Sequence, residues 1–270
     1  MSDNNIVLVG CGNMGRAMVE GWLHKNVAKP SQIHVVEPNE ELRQRAQQLG
    51  VHVYGDAQEI SENVTVAYVL FAVKPQVFDK IAPAYQKYAG NAAFVSIMAG
   101  VKIAKFTELL GEKTAVVRTM PNTPAAIGEG MLVYCINDHV NAGQEEFVRA
   151  LLHANGEVAK VEENQMDAVT GLSGSGPAYV FHMIECLARA GMEVGLDENT
   201  ALLLARQTVK GAGILAASSP EMPSVLRERV TSPNGTTAAG LAVLMGDKRM
   251  ENMIVECVKA ACERSKELGN

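Results

Sequence analysis

The sequence predicts an α/β protein: a doubly wound, Rossmann-type sheet, mostly parallel with an antiparallel addition at one edge, followed by an all-α domain. Three observations predict it. Short β-branched runs alternate with helical segments through the first part of the chain. A glycine-rich turn lies between the first such run and the first helix. From about Glu163 onward strand patterns stop, and helix-length segments follow one another. The change in periodicity divides the chain into 1–162 and 163–270.

The apolar runs at 6–9, 33–36, 51–53, 66–73, 93–97 and 115–117 are near-continuous, as strands buried on both faces of a parallel sheet should be. Asn39 with Glu40 and Glu41 in the first turn and Gly50 as terminator marks a helix, and Asp56 with Glu59 stands in capping-box spacing for another. After Val117 no helical segment precedes the apolar run 130–135. So short a connection cannot make a parallel crossover, and that strand is expected to run antiparallel. A helix over 141–153 then leads to a last strand near Val158. In the second part, the charged residues between Ala178 and Val194 are Glu185, Arg189 and Glu193, spaced by four into one narrow stripe. Such a helix is expected to be buried on most sides. A helical domain of roughly 100 residues has too little interior to bury several of them alone, which predicts a partner subunit and a homo-oligomer.

Composition narrows the class. The chain has 270 residues, 47% hydrophobic and 20% charged, which excludes fibrous and largely disordered proteins. Its most apolar stretch, 201–217, is broken by Arg206, Gln207 and Lys210, so no membrane span is expected. The first five residues lack a cationic n-region, and five cysteines without a C-x-x-C pair suit free thiols; together these predict a cytoplasmic protein. The six histidines show no zinc-ligand spacing, so no metal is expected. A net charge of −6 without a basic run argues against a nucleic-acid partner.

The clearest chemical signal is Gly10-Cys11-Gly12-Asn13-Met14-Gly15. In this G-x-G-x-x-G, Gly10 permits the tight turn and Gly12 lets a pyrophosphate approach the backbone. Gly15 allows close helix–sheet packing, and the helix N-terminus supplies donors. Glu37 follows the second strand, where an acid hydrogen-bonds the adenosine ribose of NAD. A 2′-phosphate at about 4 Å from it meets a repulsion of roughly 4 kcal/mol at an effective dielectric near 20, so Glu37 leans the chain toward NADH. Arg43 or Arg45, one turn on, partly offsets this. Two further loops leave carboxyl ends of strands: Val73-Lys74-Pro75 and Met120-Pro121-Asn122-Thr123-Pro124. Pro121 and Pro124 stiffen the second, which is expected to hold Asn122 and Thr123 toward a nicotinamide. In the helical part, Thr231-Ser232-Pro233-Asn234-Gly235-Thr236-Thr237 opens a helix with hydroxyls and flexible N–H groups at its positive end, a cradle for a carboxylate. Spacing alone leaves the other reading open, that Thr236 or Thr237 is simply an N-cap.

These residues resemble the pyrroline-5-carboxylate reductase family. The resemblance runs through 10–15, 72–75, 96–101, 118–124, 172–179 and 232–237, and so covers nearly the whole chain in order. Its most specific parts are Ser173-Gly174-Ser175-Gly176-Pro177-Ala178-Tyr179 and 232–237. It implies reduction of the C=N bond of 1-pyrroline-5-carboxylate to L-proline, the last step of proline biosynthesis, with NADPH or NADH. It also implies that 163–270 binds substrate and pairs into dimers that assemble further. Carried over residue by residue, Gly10, Cys11, Gly12, Asn13, Met14 and Gly15 hold the pyrophosphate. Ala72, Val73, Lys74 and Pro75 line the adenosine side, and Ala99 and Asn122 flank the nicotinamide ribose. Ser232, Gly235, Thr236 and Thr237 bind the substrate carboxylate and ring nitrogen, with the Thr237 hydroxyl at that nitrogen as the catalytic contact. Three departures stand out: Asn234 where glycine is common, Met98 where alanine is usual and where it is expected to crowd the cofactor, and Glu37 in place of a small or hydroxyl residue. Two other readings remain at this point. A β-hydroxyacid dehydrogenase needs a lysine for the alcohol proton, and Lys210 is its candidate. A nicotinamide-sensing regulator needs no substrate cradle at all.

Overall fold

The computed structural model describes residues 4–269. One eight-stranded sheet runs in the order β3-β2-β1-β4-β5-β6-β7-β8. Its strands are β1 (Asn5–Val9), β2 (Ile33–Val36), β3 (His52–Tyr54), β4 (Val66–Phe71), β5 (Ala93–Ser96), β6 (Ala115–Met120), β7 (Gly130–Ile136) and β8 (Gly156–Lys160). All neighbours pair in parallel except β6 and β7, which are antiparallel with Arg118 opposite Cys135. The antiparallel edge is therefore where the missing crossover placed it.

The sheet is buried on both faces because successive side chains of its strands serve two separate cores. Ile6 and Leu8 of β1 point into one and Val7 and Val9 into the other. The first is covered by α1 (Asn13–His24), α2 (Glu40–Gln47) and α5 (Ala142–His153), where the buried Trp22 indole donates to the Leu151 carbonyl at 2.9 Å and joins α1 to α5. The second is covered by the short α3 (Phe78–Ile81), α4 (Ile103–Leu110) and α6 (Met166–Val169). Asn39 caps α2 by accepting from Leu42 N at 3.0 Å, and Asn141 caps α5 in a reciprocal box with Gln144. Asp56 does not start a helix of normal length. It caps Gln58 N, but Glu59 reaches Gly55 N instead of closing the box, and the turn stops as a 3-10 segment, Ala57–Glu59.

Two compact units emerge: the described residues up to Ser175 together with those from Ala260 on, and 176–259. The division falls after the change in periodicity at 163 because the intervening turns belong to the sheet. Met166 is buried in the second core, and Ser265 donates to Asp167 at 2.7 Å. The second unit holds α7 (Gly176–Glu193), α8 (Glu198–Ser218), α9 (Pro223–Arg229), α10 (Thr236–Met245) and most of α11 (Arg249–Leu268). Helices α7 and α8 meet along small residues, with Ala188, Ala201 and Ala205 buried and Gly191 against Ala201. In the protomer Ala188 is the buried residue of α7 and the others are half-buried or exposed, and α10 has no buried residue, as expected of helices whose apolar faces need a partner subunit. Among the described residues no helix is long and apolar enough to cross a membrane.

His34 of β2 is 4% exposed, stacks on His52 at 4.8 Å and shares a 3.0 Å hydrogen bond with the Tyr54 hydroxyl. Burial, with the neighbouring His52, pushes its pKa down from 6.5 to about 4. The unfolded chain therefore takes up this proton first, and stability present above pH 6.5 is lost as pH falls toward 4. Between pH 7.5 and pH 5 this one ring is expected to remove about 2 kcal/mol. Urea unfolding of the protein and of His34→Asn at both pH values checks it, since the variant should lose less over the same interval.

Candidate functional site

The strand order reverses between β1 and β4, so crossovers leave in opposite directions there and open a crevice at the carboxyl edge. The strand ends are stitched together beyond the regular ladder. Gly10 N donates to Val36 O at 2.8 Å, Ala72 N to Val9 O at 2.8 Å and Ile97 N to Phe71 O at 3.1 Å. The loops after β1, β2, β4 and β5 therefore rise from one aligned edge.

Gly10 has φ +88°, and a Cβ there would stand 2.7 Å from Val73 Cγ1 and 2.8 Å from Ala72 O. At Gly15 a Cβ would stand 2.6 Å from Gly10 O, so the turn and the first helical turn close on each other only through glycine. A Cβ at Gly12 would meet nothing within 4 Å, and Gly12 caps α1 without any side-chain hydrogen bond. Room above the backbone at an uncapped helix N-terminus fits a diphosphate.

Glu37 is 6% exposed, and its carboxylate is not a solvated loop group. Oε2 accepts from Cys11 N at 2.8 Å and Oε1 from Asn39 N at 2.9 Å. Arg43 Nη1 donates to the Glu37 carbonyl at 2.8 Å while Nη2 pairs with Glu40 at 2.6 Å. One carboxylate thus ties the glycine turn to the end of β2, and it retains lone pairs for a ribose. Cys11 contributes its N–H and not its sulfur: burial, then the Glu37 charge, push the thiol up to about 11.

Ala72, Val73 and Pro75 are half-buried, and Lys74 is exposed where it opens the 3-10 turn Pro75–Val77. Met98 does not crowd this edge. It is 2% exposed, packs into the second core, and its N–H bonds Ser96 Oγ at 3.2 Å, which leaves the half-buried Ala99 beyond it. The 120–124 loop also departs from expectation. Asn122 turns inward, donating from Nδ2 to Ser173 O at 3.1 Å and accepting at Oδ1 from Met131 N at 2.9 Å, so its amide fastens the loop. Thr123 is exposed.

In the second unit Asn234 takes φ +60° and Gly235 N donates to Ser232 O at 3.1 Å. Gly235 is the N-cap of α10, without a side-chain bond, so Thr236 and Thr237 occupy the first helical turn and neither is the cap. Ser232, Thr236 and Thr237 are all exposed in the protomer. Lys210 is an exposed residue of α8.

A pair the sequence reading missed anchors α4. Arg118, 4% exposed, lies 3.2 Å from Glu163 Oε1, which also accepts from Ile103 N at 2.7 Å. The available signal was an arginine inside the apolar run of β6.

Comparison with known proteins fits this geometry. The family model for pyrroline-5-carboxylate reductase dimerisation matches residues 163–268, and that for NADP oxidoreductase, coenzyme F420-dependent, matches 5–100. The chain is 41% identical over 265 residues to the pyrroline-5-carboxylate reductase of Synechocystis sp., covering 97% of each. The chain belongs to the pyrroline-5-carboxylate reductase family. Within that family, the solved structure of the Coxiella burnetii reductase superposes with a TM-score of 0.93 at 32% identity, covering all of both chains. The Plasmodium falciparum reductase, solved with NADP bound, gives 0.86 at 30% identity, again over all of both chains.

The two roles of Glu37 separate in one variant. In Glu37→Ser the side chain no longer reaches Cys11 N, and a stranded buried donor costs about 1–3 kcal/mol. Binding of both dinucleotides is expected to weaken, and that of the 2′-phosphorylated one less, because the like charge has gone. Fluorescence titration with NADH and NADPH checks this, and an unchanged ratio of the two affinities would leave Glu37 a brace only.

Proposed function

We infer that the chain reduces the C=N bond of 1-pyrroline-5-carboxylate to L-proline with NAD(P)H. The observation that carries this reading is that a chain of this family holds both a glycine cradle at the sheet edge and an exposed hydroxyl-rich turn at the N-terminus of α10.

The bound dinucleotide supplies a hydride from its nicotinamide. The chain's own work is binding and orientation. Gly10, Cys11, Gly12, Asn13, Met14 and Gly15 receive the pyrophosphate. Ala72, Val73, Lys74 and Pro75 line the adenosine side, Ala99 flanks the nicotinamide ribose, and Asn122 holds its loop in place for that ribose. Glu37 accepts from the adenosine ribose and disfavours a 2′-phosphate, which makes NADH the preferred reductant. Ser232 and the N–H groups of Gly235 and Thr236 take the substrate carboxylate, a charge favoured at a helix N-terminus. The Thr237 hydroxyl bonds the ring nitrogen, where a proton from solvent or substrate makes the imine carbon a better hydride acceptor. The protein acts as a homodimer built through the helical unit, and works in the cytoplasm. Support for the dimer comes from α10, apolar all round yet without a buried residue, and from the match to a dimerisation family.

Thr237→Ala is expected to lower kcat/KM for pyrroline-5-carboxylate by roughly five- to a hundredfold, the worth of one hydrogen bond in a dry site. NADH affinity and Tm should stay nearly constant, because Thr237 is not the cap of α10. Normal kinetics in this variant would remove Thr237 from the catalytic contact. Sedimentation at micromolar concentration is expected to show a dimer, and a folded monomer there would overturn the assembly.

A further inference from the structure

On the polar side of α7, three side chains stand in line. His182 Nδ1–H donates to Glu185 Oε2 at 3.0 Å, and the opposite ring nitrogen, Nε2, lies 3.6 Å from Cys186 Sγ. The carboxylate accepts only, so it fixes the proton on Nδ1 and leaves Nε2 with a lone pair facing the thiol. A helix brings residues three and four apart onto one surface, so the line is a product of sequence spacing. Its side chains are open: His182 is 74% and Glu185 73% exposed, and Cys186 is exposed. They lie on a cavity of about 400 Å³ between α7 and α8, shared with Arg189, Glu198 and Leu202. This is the charged stripe of a helix whose remaining circumference is apolar, and charge is the feature an apolar interface between subunits leaves outside.

We propose that Cys186, His182 and Glu185 form a thiol-exchange site that takes small disulfide-bearing molecules. Cys186 Sγ attacks one sulfur of the incoming disulfide as its S–H proton moves to His182 Nε2. A new S–S bond forms between Cys186 and one half of the molecule, the old S–S bond breaks, and the departing half leaves as a thiolate that takes the proton back from Nε2. Cys186 is oxidised to a mixed disulfide and the released half is reduced to a thiol, so no other oxidant is needed. Arg189 at the same cavity offers a cation to carboxylates on the guest. The contrast within the chain is sharp. Cys11 and Cys135 are each 2% exposed, with thiols pushed up to about 11 and about 12, chiefly by burial, and neither can serve this role.

The test is incubation of the full-length native protein with oxidised glutathione at pH 7, with the rate of mixed-disulfide formation mapped at each cysteine by mass spectrometry. Cys186 is expected to react roughly tenfold faster than Cys257 or Cys262, and His182→Gln to remove that advantage while leaving both other rates and reductase activity unchanged. Independently of any variant, unfolding the chain in urea breaks the contact between His182 and Cys186. The Cys186 rate should then fall to that of the other two. A native Cys186 no faster than Cys257, or one unaffected both by His182→Gln and by urea, overturns the proposal.

Discussion

The carboxylate of Glu37 is the joint on which the carboxyl edge depends. A glycine-rich turn has little side-chain packing to hold it, so its shape must come from backbone partners supplied by neighbouring strands. Gly10 N is held by the last carbonyl of β2, and Cys11 N, the next donor, by the side chain that follows that strand. The same carboxylate takes Asn39 N, just where α2 is capped. A single buried acid therefore sets the turn after β1, the end of β2 and the start of α2 in one register. Three backbone features that a dinucleotide must find preformed are fixed by one residue, and a buried acceptor with two N–H partners holds more firmly than any contact a solvated loop could make.

Most of the sheet was legible because its strands are apolar without interruption. Ile33–Val36 was read to its exact ends, and the antiparallel edge followed from the shortness of the chain after β6. The misreadings have local causes. β6 continues to Met120 because Arg118 and Thr119, polar by type, are buried and bonded, Arg118 to Glu163 and Thr119 to Ser96 O. The Asp56 turn failed as a helix because the Glu59 side chain found a different N–H. The last strand ends at Lys160, and the turns just beyond it, with Met166 in the second core, still pack on the sheet, which no periodicity could reveal.

At the site, spacing exposed the glycine motif and Glu37, since both are defined by distance along the chain from a strand end. Direction was hidden. Whether Glu37 faces solvent or Cys11 N, whether Asn122 looks outward or bridges Ser173 and Met131, and whether Met98 fills the crevice or the core are all rotamer choices made by three-dimensional neighbours. The hydroxyl turn before α10 shows the same limit. Its residues were evident, but the register that makes Gly235 the cap and frees both threonines emerged only in the folded backbone.

The placement of the last described residues has a consequence for how the protein is made. Residues from Ala260 on belong to the unit that contains the sheet, where Ser265 meets Asp167 and the backbone of Gly269 lies against Gly100, so closely that a Cβ on Gly269 would stand 2.7 Å from Gly100 O. The helical unit is therefore an insertion within the nucleotide-binding one. On the ribosome, the sheet emerges first but waits for its final segment until every residue of the helical unit has been synthesised. The helical unit is complete in the chain before the sheet-bearing unit is, and a chain without residues 260–269 would carry all eight strands and still lack the piece that closes over the loop after β5.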